Sequence, residues 1–160
     1  YKNYDPRAKV LRLSPVVYQS RSLAAVGIAA HEAGHAIQDA RNYLPLVIRN
    51  LAVPVAQFGS GAGIWMAIIG FVMNFQPLVI LGVVLFAGVV FFQVINLPVE
   101  FNASARAKAQ LVEHGIVPQA EMRYVNKVLN AAALTYVAAT LQAIATLLYL
   151  VLRFAGGSRD

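Results

Sequence analysis

The sequence predicts an all-α membrane protein with about three transmembrane helices, and three observations carry that expectation. Hydrophobic residues make up 59% of the 160 positions and charged residues only 12%, about half the charged share of an ordinary globular protein. The apolar excess is concentrated: no charged side chain occurs between residues 50 and 99, nor between 128 and 152. Each stretch exceeds the ~20 apolar residues that cross a ~30 Å hydrocarbon layer. The longer one is also interrupted once, at Asn74-Phe75-Gln76-Pro77, where polar residues and a proline mark a turn.

Residues 1–20 are polar and mixed, and Lys9-Val10-Leu11-Arg12-Leu13-Ser14 alternates like a short strand before Pro15. A helix then starts near Ser20 or Ser22, either of which suits an N-cap. It runs over 23–41, with Pro45 beyond its end. The first span covers 51–73, a tight turn follows, and the second span covers 78–97. Gly59, Gly61 and Gly63 in the first span permit close helix packing or a distortion. A polar helix begins at Pro98, which fits a first helical position. It ends near Glu113-His114-Gly115, with Gly115 as C-terminal cap and Pro118 beyond. A short polar helix over 119–127 leads into the third span, 128–152, and the tail 156–160 reads as frayed. The whole chain, 1–160, reads as a single membrane-embedded domain. It opens at Tyr1 with neither Met nor a signal-peptide pattern, as a fragment or processed piece would.

Two consecutive spans return the chain to the side it left, so the helix before residue 51 and the helix after residue 97 share one membrane face. Lys2, Arg7, Lys9, Arg12, Arg21, Arg41, Arg49, Arg106, Lys108, Arg123 and Lys127 fall on that face, leaving Arg153 and Arg159 opposite. The positive-inside rule makes the shared face cytoplasmic. The net charge of +6 is spread over the chain rather than packed into one basic patch, which argues against nucleic acid as partner. The lipid bilayer is the expected one. There is no cysteine, so any transition-metal site is built from histidine and carboxylate.

His31-Glu32-Ala33-Gly34-His35 is an H-E-x-x-H pattern. On a helix, positions i and i+4 lie one turn apart on the same face, so both imidazoles reach one zinc at ~2.0–2.1 Å. Glu32, one residue on, sits beside the metal and is placed to act as general base towards a water acidified to a pKa of about 7. Two of the three histidines fall at this spacing, behind a small apolar run that suits a buried helix. A site with one zinc per chain needs a third protein ligand if a position is to stay open. Asp5, Asp39, Glu100, Glu113, His114 and Glu121 are the candidates on the shared face. Glu100 leads because the hairpin returns it beside the H-E-x-x-H helix and Ala103, Ser104 and Ala107 allow close approach. Spacing alone leaves it equally readable as a carboxylate favoured by the helix dipole. His114 suits a solvated helix end. Asp39, one turn after His35, is either a partner for that imidazole or solvated surface. Gln93, Asn96, Gln142 and the threonines of the third span read as hydrogen bonds between helices. Tyr18, Arg123, Tyr124 and Tyr136 are open candidates for oxyanion stabilisation, and residues 9–13 for strand addition by an extended substrate.

Several stretches resemble the YugP-type neutral zinc metallopeptidases of bacterial membranes. They are Tyr4-Asp5-Pro6, Leu11-Arg12-Leu13-Ser14, Ala29-Ala30-His31-Glu32-Ala33-Gly34-His35-Ala36-Ile37-Gln38, Leu97-Pro98-Val99-Glu100-Phe101-Asn102-Ala103-Ser104 and Ala132-Ala133-Leu134-Thr135-Tyr136-Val137-Ala138-Ala139. The resemblance implies a third zinc ligand at Glu100, a plasma-membrane location, and a hydrophobic N-terminal segment ahead of Tyr1. Asn102 stands where an aspartate is expected, and Ser104 stands where the related HtpX-type proteases place one. The activity implied is an endopeptidase acting on a peptide or membrane-protein substrate. The rival class is a binding or scaffolding membrane protein with a structural zinc. Glu32 separates the two, because a structural site has no use for an unligated carboxylate beside the metal. A metal transporter would call for ionisable residues inside the spans, and these have none.

Overall fold

The structure, a computed structural model, describes residues 3–19 and 22–155. In order these form β1 (Asn3–Asp5), β2 (Val10–Arg12), α1 (Pro15–Gln19), α2 (Leu23–Ala40), α3 (Leu44–Val72), α4 (Gln76–Glu113), a 3-10 turn (Gln119–Glu121) and α5 (Met122–Leu150), which ends in a wider turn, Val151–Ala155. Ser20, Lys2, Arg21, Arg159 and the tail 156–160, all used in the sequence reading, lie outside the described residues. The chain divides into two compact units: one of Tyr1–Val47 with Leu97–Thr135, the other of Ile48–Asn96 with Tyr136–Asp160.

In the first unit β1 and β2 pair antiparallel, Tyr4 opposite Leu11. The alternation at residues 9–14 marked only the second strand. The first, Asn3–Asp5, has a single tyrosine between two polar residues and no aliphatic side chain, so no alternating apolar pattern marks it. Asp5 builds the turn between them, its Oδ1 accepting from the backbone N–H of Arg7 and Ala8 at 3.0 and 3.3 Å. Those bonds hold its carboxyl below the usual range. Helix α2 opens at Ser22, whose side chain accepts from the Ala25 N–H, as its capping chemistry requires. Leu111, Val117, Met122, Val125 and Leu129 form the core of this unit, with Leu23, Val26 and Ala30 packed against it.

Three helices stop in the same way. Asn42, Asn74 and Gly115 take positive φ of 54, 55 and 64°. At each, the next residue's N–H bonds five positions back: Tyr43 to Gln38 O, Phe75 to Gly70 O and Ile116 to Leu111 O. This is the Schellman ending, in which a left-handed residue lets the chain turn back on its own last carbonyls. Glycine and asparagine adopt that conformation at least cost.

Pro98 corrects one expectation. Rather than starting a new helix, it lies inside α4, which runs unbroken to Glu113. An interior proline costs about 3 kcal/mol, and the change from apolar to polar composition there mimics a boundary. Burial outweighs the cost: Val99, Ala103, Ala107 and Leu111, spaced every four residues, are at most 2% exposed. Likewise α3 starts at Leu44, with Pro45 in its first turn, and continues through Pro54.

The second unit contains an antiparallel helical hairpin. Close contacts pair Gly59 with Leu85, Gly63 with Gly82 and Gly70 with Val79, and Arg49 Nη1 donates to Asn96 Oδ1 at 2.8 Å. At Gly63 an added Cβ would stand 2.9 Å from the Gly82 carbonyl oxygen, so the two backbones touch. Ala67, Phe86, Val89 and Leu150 form the core. Large apolar side chains such as Phe58, Trp65, Phe91 and Leu141 point outwards, each more than half exposed, as a surface facing lipid does. Helices α3, α4 and the stretch Gln119–Phe154 are each long and apolar enough to cross a membrane. Thr140 Oγ1 bonds back to the Tyr136 carbonyl of its own helix at 2.9 Å and also lies 3.3 Å from the Gln93 carbonyl of α4. Thr135 and Thr146 likewise bond back to carbonyls of their own helix.

Candidate metal centre

The site is made by α2 and α4 within the first unit. Positions 31, 35 and 38 of α2 are spaced i, i+4, i+7 and so share a face. All three residues are buried, as is Glu32. A Cβ on Gly34 would run into the Ala103 carbonyl of α4. Only glycine lets the two backbones come this close, and the approach brings Glu100 into reach of both imidazoles.

Glu100 Oε2 lies 2.8 Å from His31 Nε2 and 3.3 Å from His35 Nε2. The rings stand edge to face with centroids 4.8 Å apart. One donor atom from each of the three lies within 4.8 Å of the others, and all three residues are buried. Burial alone would push the His35 pKa down. Its bond to Glu100 and the charge there outweigh this and, helped by Gln38 and the Glu32 charge, raise it. A buried carboxylate facing two imidazoles calls for a cation between them, either a proton or a metal. Two nitrogens and one carboxylate oxygen are the donors of a His2Glu zinc site with an open fourth position, so the residues fit that ion.

The outward-facing ring nitrogens are held as well. His31 Nδ1 lies 2.9 Å from Ser104 Oγ, and His35 Nδ1 lies 3.0 Å from Gln38 Oε1. The Gln38 amino group donates to Val99 O at 2.8 Å and to Asn102 Oδ1 at 3.0 Å, while Arg106 Nε donates to the same oxygen at 2.7 Å. Asn102 and Ser104, the two departures from the expected pattern, thus both serve the cluster.

Of the six candidates for third ligand, Glu100 joins the histidines. Asp39 is engaged elsewhere, accepting from Tyr4 Oη and Lys9 Nζ, each at 2.6 Å. These bonds tie the β-hairpin to α2 and hold the Asp39 carboxyl below its usual range, Lys9 first and Tyr4 second. The reading of Asp39 as a partner for His35 is therefore replaced by Gln38, whose shared face with His31 and His35 was a visible signal. Asp5 pairs with Arg12 at 3.6 Å, and His114 bonds Gln110 at the end of α4. Glu113 ends that helix and Glu121 lies in the 3-10 turn. Arg123 donates to the Tyr124 hydroxyl. Tyr18 lines a cavity of about 360 Å³ with Ala25, Ala29 and Ala33, on the face of α2 turned away from His31 and His35.

Residues 1–155 match the family described as "Putative neutral zinc metallopeptidase". The chain belongs to this family. It is 47% identical over 155 residues to the protein named "Putative membrane protease YugP" of Bacillus subtilis (strain 168), across 97% of this chain and 69% of that relative. No solved structure matches. Membership makes zinc the metal to which the buried His2Glu group is suited, and the three long apolar helices agree with the membrane association of the relative.

Proposed function

We propose that this chain is a multi-pass endopeptidase of the bacterial plasma membrane that holds one zinc between His31, His35 and Glu100 and hydrolyses peptide bonds on the cytoplasmic side. The observation that carries the reading is the meeting of His31 Nε2, His35 Nε2 and Glu100 Oε2 in a buried cluster with Glu32 buried next to His31 in the chain. Zinc bound there supplies Lewis acidity, polarising a carbonyl oxygen and bringing the pKa of water down to about 7. Glu32 takes the proton of the attacking water and passes it to the leaving amine, the work of a general base turned general acid. Burial of its carboxylate keeps bulk water from competing for that proton. Peptides or membrane proteins are the substrate class, consistent with the membrane-protease relative.

The test pairs zinc content with hydrolysis of an unfolded, casein-like substrate for the wild type and Glu32→Gln. The variant is expected to keep about one zinc per chain and to lose hydrolysis by about 10²–10⁴-fold, the usual worth of a general base. Zinc in both and cleavage by neither would favour a structural metal in a scaffolding protein. Orientation is tested separately, and the absence of native cysteine removes background. A Lys108→Cys variant is expected to react with an impermeant maleimide in inverted vesicles but not in intact cells, and Asn74→Cys the reverse.

A further inference from the structure

Gln38 is 0% exposed, and a buried primary amide is tolerated only where its polar atoms are partnered. Its partners also fix which way round it sits. The Val99 carbonyl can only accept, so the atom 2.8 Å from it is the amino nitrogen. The atom facing His35 is then the amide oxygen. Asn102 is oriented by the same logic, because Arg106 can only donate. Its Nε lies 2.7 Å from the Asn102 oxygen that also receives the Gln38 amino group. Arg106 in turn lies over the Tyr43 ring, 5.6 Å from its centroid. An oxygen that can only accept, 3.0 Å from His35 Nδ1, requires a hydrogen on that nitrogen. A neutral imidazole with Nδ1–H has its lone pair on Nε2, the nitrogen turned towards Glu100.

We propose that Gln38 is a positioning residue that holds His35 as the Nδ1–H tautomer, with its Nε2 lone pair aimed into the metal cluster, while the Val99 carbonyl and the Asn102 oxygen, itself held by Arg106, keep the Gln38 amide from inverting. The proposal rests on the reading of His35 as a zinc ligand. A neutral acceptor suits this place. A carboxylate would add a third negative charge to a buried group that already holds Glu32 and Glu100. The amide sets the direction of the ring without adding charge.

A purely structural role for Gln38, as a tie between α2 and the α4 backbone, gives a different outcome from the positioning role. Zinc affinity of the full chain in detergent is measured by competition with a chromophoric chelator, and thermal unfolding is followed on the metal-free forms. Gln38→Met removes the acceptor and is expected to weaken zinc binding by about 10- to 100-fold, the range for loss of a ligand's hydrogen-bond partner. Gln38→Glu forfeits both donated bonds but keeps an oxygen for His35. It is expected to be as destabilised as Gln38→Met when metal-free, yet to recover most of the affinity. A structural tie predicts that affinity falls alike in both, which would overturn the proposal. In the zinc-loaded wild type carrying ¹⁵N-histidine, the His35 Nδ1–H proton is expected to be protected from exchange, and in Gln38→Met to be lost. If Gln38→Met does not fold, Asn102→Leu leaves Gln38 in place, removes one of the two acceptors that fix its amide, and is expected to weaken zinc in the same direction but by less. His35→Ala keeps the two failures apart. Wild-type affinity in that variant removes the ligand reading and the proposal with it. A weak His35→Ala beside an undiminished Gln38→Met overturns the proposal alone.

Discussion

Each unit of this chain has a place where two helix backbones touch through glycine, and what surrounds the two contacts differs. At Gly34 the contact is with Ala103 O, and the residues around it are buried and polar: His31, Glu32, His35, Gln38 and Glu100. At Gly63 it is with Gly82 O, and the surroundings are Ala67, Phe86, Val83 and Ile64. The first approach brings hydrogen-bonding groups within reach of one another. The second lets two apolar helices gain dispersion contacts in a setting where burial from water drives nothing. The same residue type thus serves an electrostatic purpose in one unit and a packing purpose in the other.

Gly34→Ala should break the comparison most sharply. The backbone has to shift, at a cost of about 1–3 kcal/mol for overpacking, and the ligand atoms shift with it. Zinc affinity is therefore expected to fall together with thermal stability, whereas Gly63→Ala should lower stability alone. Next in size is Asn96→Leu. It removes the buried acceptor of Arg49, and the loss of a buried bond costs about 1–3 kcal/mol. Unfolding in detergent should register it, with zinc affinity unchanged.

A smaller effect concerns the tie between the hairpin and α2. The Asp39 carboxyl is held low, so its contribution is present above the ordinary carboxylate pKa and is lost as the pH falls through the lowered value. Tyr4 moves the other way: burial first, then the Asp39 carboxylate, pushes its hydroxyl up to about 12. Its contribution is complete below the ordinary tyrosine value of about 10 and disappears as the pH climbs towards the raised one. Stability measured from pH 3 to 12 should therefore decline at both ends. Tyr4→Phe should flatten the alkaline limb and Asp39→Asn the acid limb, the latter by less than about 1 kcal/mol because Lys9 is largely exposed. The smallest change is expected at Gly61, where an added Cβ meets nothing within 4 Å. Gly61→Ala should leave zinc binding alone and stabilise the helix by up to about 1 kcal/mol.

Much of this was legible because local chemistry decides it. Ser22 caps because its oxygen meets an orphan N–H, and Gly115 ends α4 because it adopts positive φ freely. The uncharged runs read as spans because charge is costly in hydrocarbon, and the H-E-x-x-H spacing read as a site because it matches the helical turn. What escaped depends on contacts distant in sequence. Pro98 looked like a boundary because its cost is local, while the burial that offsets it comes from residues further along the helix. Gln38 carried no signal beyond its face of α2, since its partners Val99 and Asn102 lie more than sixty positions away. Asp39 read as either a partner for His35 or solvated surface because the strand that claims it, around Tyr4, gave no periodicity.

His31 and Glu100 are 69 positions apart, and the whole helical hairpin lies between them in the chain. An ion gripping both therefore acts as a cross-link closing a long loop. If the loop-closure entropy of a disulfide is taken as the guide, such a link removes about 4 kcal/mol of freedom from the unfolded chain. Chelation should consequently lower the melting temperature of the purified protein. On that reading a cell short of zinc would hold a copy of this protein that is more easily unfolded and degraded.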